Sequence, residues 1–126
     1  MANKKDKLKE EHGSTDFEVF GWRVFFIYTS NVKETREALS HKVGALETSL
    51  ENCPALHSYN AKLNDSFVIF NNTATIGDLA HECFHVLWRM FISHGVELDN
   101  ETTAYHLGFL VDKIVDFKKK FDNKMK

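Results

Sequence analysis

A chain of 126 residues is long enough for one domain with its own hydrophobic core, without staples. A hydrophobic content of 43%, with eleven Phe and two Trp, excludes a disordered polymer, and a net charge of −2 gives no global reason to expect nucleic acid as a partner. No run reaches the ~18 uncharged apolar residues that a membrane span requires, and the two cysteines, Cys53 and Cys83, fit a reduced, cytoplasmic protein.

Residues 1–15, MANKKDKLKEEHGST, are polar and lysine-rich with no apolar centre. They predict a flexible tail, neither signal peptide nor anchor, ahead of a single domain over residues 16–126. Phe17 to Tyr28, FEVFGWRVFFIY, is β-branched and aromatic on both faces and suits a strand covered on both sides, with Gly21 marking a bulge or a break. Asn31 followed by Glu34 resembles a helix start, and Val32, Leu39, Val43, Leu46 and Leu50 recur at helical spacing, so a helix is expected from about 32 to 50. Pro54 cannot continue it. A short strand over His57 to Leu63, a turn at Asn64-Asp65 and a strand over Ser66 to Phe70 (SFVIF) follow.

Thr75 to Gly95, TIGDLAHECFHVLWRMFISHG, is apolar nearly all round. Thr75 with Asp78 makes a capping-box pattern and Gly95 closes the helix, so Asp78 has a structural task. At about 100° per residue, Asp78, His81, Glu82, His85 and Arg89 share a sector of about 100°, whereas Cys83 points the other way, into the core. The last helix runs from Glu101 to about Phe121, with Ala104, Leu107, Val111, Ile114, Val115, Phe117 and Phe121 as its apolar stripe and lysines at its C-terminus meeting the dipole. The order β-α-β-α-α predicts an α+β domain: a small sheet packed on the 75–95 helix, followed by a C-terminal helix.

His81-Glu82-Cys83-Phe84-His85 reads H-E-x-x-H. On a helix two His four apart lie on one face, and the Glu between them can reach a water held by their metal. The competing reading is a hydrogen-bonded polar stripe. Burying such groups without partners costs a few kcal/mol each, which favours the metal. A catalytic zinc site uses three protein ligands and an open position. Glu101 is the best third ligand, because it shares a helix face with Ala104, Gly108 and Val111, the face expected to pack inward. Glu97, Asp99, His94 and His106 compete, with His106 placed better as a supporting or exposed residue.

HECFH on an apolar helix, followed by Glu101-Thr102-Thr103-Ala104, resembles the zincin metallopeptidases, and within them the gluzincins typified by thermolysin. Asp78 departs from their pattern, which has an uncharged residue there. The resemblance covers about residues 66–111 and implies a minimal zincin-like domain in which SFVIF is the edge strand that binds an extended peptide. The whole is similar to small stand-alone metallopeptidases of phages and mobile elements. It implies Zn²⁺ held by His81, His85 and Glu101, with Glu82 as the general base for hydrolysis of a peptide or protein substrate. Tyr105, His57 and Tyr59 are candidates for the donor to the oxyanion, and His106 for a supporting role. The alternatives are a non-catalytic, zinc-stabilised protein-interaction module and a metal-free interaction domain. Retention of Glu82 favours catalysis.

Overall fold

Four strands form one mixed sheet in which, numbered along the chain, they lie side by side in the order first, second, fourth, third. The computed structural model describes residues 8–39 and 53–125. Strand β1 is Glu10–Phe17 and β2 is Trp22–Thr29, joined by a turn of 3-10 helix at Glu18–Phe20 that ends on Gly21 at φ 59°, a left-handed conformation that favours glycine. Helix α1, Val32–Ala38, follows; strands β3, Ala55–Asn60, and β4, Asp65–Phe70, come next; then helices α2, Ile76–Ser93, and α3, Asn100–Phe121. β4 pairs parallel with β2, and β1 and β3 are antiparallel to their neighbours. This is an α+β fold.

Both faces of the central strands are covered. Trp22, Val24, Phe26 and Tyr28 of β2, with Val68 and Phe70 of β4, pack under α2 and α3, against Leu79, Cys83, Val86, Leu87, Met90, Phe91, Leu110 and Ile114. The alternate residues, Ile27, Phe67 and Ile69, join Leu56 and Val32 of α1 on the opposite face. The Tyr28 hydroxyl donates to the Asp122 carboxylate, tying β2 to the residue after α3. Among the described residues, no helix is long and apolar enough to cross a membrane.

Three expectations change. The tail gives way to strand at Glu10, because residues 10–17 form a full antiparallel ladder with β2 and cover its edge despite their polar composition. Helix α1 starts where expected, with the Asn31 side chain accepting from the Glu34 N–H, and stops at Ala38; residues 40–50 of the expected 32–50 helix lie outside the described residues. The strand SFVIF is interior rather than an edge, since β2 occupies its other side and the outer strand is β3. A strand apolar on both faces belongs inside a sheet, and β3, half-buried at His57, Tyr59 and Asn60, suits its margin.

Gly13 shows how closely β1 is packed. A Cβ built there would lie 2.7 Å from Cε1 of Phe117, whose ring is held against Phe26, Phe70 and Phe121. Gly13→Ala should therefore lower unfolding free energy by about 1–3 kcal/mol in denaturant titration. An unchanged midpoint would show that β1 does not lie under α3.

Candidate functional site

Helix α2 is fixed at both ends by local chemistry. The Thr75 hydroxyl accepts from the Asp78 N–H at 3.0 Å, and the Asp78 carboxylate accepts from the Thr75 N–H at 2.9 Å. The capping box expected from sequence is therefore complete, and it employs Asp78. At the other end Gly95 takes φ 66° and the Val96 N–H reaches back to the Phe91 carbonyl. Between the caps, Leu79, Cys83, Val86, Leu87, Met90 and Phe91 are buried. Cys83 points into the core as expected, and burial pushes its thiol pKa up.

With that face committed, the polar stripe looks outward. His81 Nε2 and His85 Nε2 converge to 3.1 Å, with ring planes at 77°. Two nitrogens on one tetrahedral zinc, each bonded at about 2.0–2.1 Å, stand about 3.3 Å apart. The pair therefore fits a shared metal with little movement. The His81 side chain is 67% exposed while that of Glu82 is only 14% exposed, its Oε2 3.9 Å from His81 Nε2. Burial raises the Glu82 carboxyl pKa; His81 draws it down and Asp78 raises it. Burial, then His81, lowers that of His85.

The second wall of the site is β3. Ala55 belongs to the core beneath α2, so His57 and Tyr59, two and four residues on, face the same way. The His57 ring lies parallel to that of His85, with centroids 6.4 Å apart and planes within 3°. The Arg89 guanidinium lies over the Tyr59 ring at 4.1 Å. His57 Nε2 is 3.0 Å from the buried Ser66 hydroxyl, which accepts from the Trp22 indole N–H at 2.9 Å. The indole can only donate, so Ser66 Oγ accepts from Trp22 and shares a second hydrogen bond with His57 Nε2, whose direction follows the imidazole tautomer. Burial first, then His85 and Arg89, hold His57 neutral with a pKa of about 3. Ser66 and Trp22 were not identified from sequence; the one signal was a hydroxyl heading an otherwise apolar strand.

The candidates from α3 stand differently. The inward face of this helix is Leu110 and Ile114, flanked by Leu107, Val111, Val115, Phe117 and Phe121; Glu101, Ala104 and Gly108 are exposed. Among the described residues, no group of three or more His, Cys, Asp or Glu is placed to hold a metal, so Glu101 is not gathered with His81 and His85. Asp99 caps α3 by accepting from the Thr102 N–H at 2.7 Å, and Glu97 is exposed. His106 packs against Phe17, Phe20 and Phe91 and donates from Nδ1 to the Thr102 carbonyl at 2.8 Å. His94 packs on Phe20 and Trp22 and donates to the Met90 carbonyl. Tyr105 is 81% exposed.

Compared with family models, curated proteins and solved structures, the chain gives no match.

Ser66 supports the site from beneath, so its removal has a defined cost. Ser66→Ala leaves the Trp22 N–H and the His57 ring without their shared partner and should lower stability by about 1–3 kcal/mol. Unchanged thermal and denaturant unfolding would show that the three side chains do not form the chain of hydrogen bonds described.

Proposed function

We propose that this protein is a zinc-dependent metallopeptidase of the reducing cytoplasm that hydrolyses peptide bonds in peptide or protein substrates. The observation that carries the reading is the convergence of His81 Nε2 and His85 Nε2 at 3.1 Å on the outward face of α2, with the part-buried carboxylate of Glu82 beside them. The H-E-x-x-H and E-x-x-A resemblance to gluzincins supports it, as do two free cysteines for the compartment.

His81 and His85 would hold the metal through Nε2, and Glu101 is the third ligand that the resemblance assigns. Zinc, when bound, supplies Lewis acidity toward a peptide carbonyl and activation of water near neutral pH. Glu82 takes the proton of the attacking water and returns it to the leaving amine. His57, a neutral ring parallel to that of His85, would be a donor on the oxyanion side of the reaction in its Nδ1–H tautomer. The outer edge of β3, which no strand pairs among the described residues, offers main-chain groups to an extended substrate.

Zinc should bind at about one per chain, and His81→Ala or His85→Ala should abolish binding, as measured by metal analysis after dialysis. Glu101→Ala should weaken it. Full zinc affinity in Glu101→Ala, with loss in Glu97→Ala, His94→Ala or His106→Ala, would transfer the third-ligand role.

Glu82→Gln separates an enzyme from a zinc-stabilised module. Fold and zinc content should persist while cleavage of unstructured protein substrates falls by about 10²- to 10⁴-fold. Equal cleavage by wild type and variant at equal zinc occupancy would end the proposed mechanism.

A further inference from the structure

Arg89 occupies the last position of the polar stripe, one turn beyond His85, and it is half-buried. Among the described residues it has no carboxylate partner; its contact is the Tyr59 ring face at 4.1 Å. A guanidinium withdrawn from water loses hydration, and a cation–π contact offsets part of that loss without using any of its five N–H donors. Those donors, in a rigid planar fork, match a carboxylate in two-point contact. Tyr59 therefore restrains the side chain and leaves its hydrogen-bonding capacity unused.

The position relative to the His pair follows from two ladders in step. His57 lies against His85 and Tyr59 against Arg89. Two residues along a strand advance about 6.6 Å, and four residues along a helix about 6 Å. An extended peptide lying beside β3 covers that same distance in about two residues.

We propose that Arg89, held by Tyr59, anchors a carboxylate of the substrate within about two residues of the bond at His81 and His85, so that the site selects peptides that present a carboxylate there. The word substrate rests on the peptidase reading; the carboxylate site does not. The carboxylate is either a free C-terminus or an Asp or Glu side chain, since both present the same two oxygens to the fork.

The test uses the full chain as purified and three short N-acetylated peptides: a free acid, its C-terminal amide, and an amide whose sole carboxylate is a Glu side chain. Affinity is read by titration, and the Arg89 Nε–H resonance is followed by NMR. At least one carboxylate peptide should bind about tenfold or more tighter than the uncharged amide and shift that resonance. Arg89→Gln should remove the preference. Preference for the free acid assigns a C-terminal anchor, and preference for the Glu peptide assigns a side-chain anchor.

Equal binding of all three, binding of none, or a preference that survives in Arg89→Gln would overturn the proposal, the last because the carboxylate is then taken elsewhere. Arg89-dependent carboxylate binding in a chain that holds no zinc would sink the peptidase reading alone. Glu82-dependent cleavage that treats acid and amide alike, with Arg89→Gln unchanged, would sink the carboxylate anchor alone.

Discussion

The rotation of α2 about its own axis is the constraint on which the site depends. Six of its side chains, Leu79, Cys83, Val86, Leu87, Met90 and Phe91, are buried against the sheet and α3. Full burial of a large apolar side chain stabilises by about 1.5–3 kcal/mol, so this face together outweighs any preference of two imidazoles by an order of magnitude. A hydrogen bond between those imidazoles contributes about 1 kcal/mol net. The apolar face therefore sets the rotation, and His81, Glu82, His85 and Arg89 are turned outward together as its consequence. The Thr75–Asp78 box and Gly95 then fix where along the axis that face begins and ends.

What was legible in the sequence is what local chemistry determines. The capping box, the Gly95 stop, the inward Cys83 and the shared sector of the H-E-x-x-H residues all follow from one helix and its period. Strand β1 was not legible, because its residues are polar and their partners lie 5 to 19 positions away along the register with β2. An outer strand of polar composition gains its stability from the ladder it completes rather than from its own side chains. The place of SFVIF inside the sheet was partly legible: an apolar run without alternation fits an interior strand, and the expected edge role came from the family resemblance instead.

The orientation of α3 shows where a pattern of small residues misleads. Ala104 and Gly108 suggested a close approach of α3 to α2 on the side of Glu101, yet both are exposed. The same helix carries Leu107, Leu110, Ile114, Phe117 and Phe121 on another face, and these bury far more apolar area than Ala and Gly can. The larger residues choose the orientation. His106 is drawn in with them, between Phe17, Phe20 and Phe91, which gives it a packing role and a helix-carbonyl partner. Whether a side chain of one helix meets a pair on another depends on such competition between faces, and no single-helix period contains it.

The site is thus a contact between one helix and the outer strand of the sheet, and its accuracy depends on the register of that strand. His57 lies opposite Val68 and Tyr59 opposite Ser66 in the β3–β4 ladder. Ser66 in turn reaches across to Trp22 on β2 and to His57, so its side chain joins three strands under the site. A slip of β3 by one residue would turn His57 and Tyr59 to the far face and bring Leu56 and Ser58 beneath α2. Leu56 is instead held in the second core with Ile27, Phe67 and Ile69, and Ser58 is hydrogen-bonded to Arg36 of α1 at 2.7 Å. The face of the sheet remote from the candidate site thereby determines which β3 side chains stand beside His85 and Arg89.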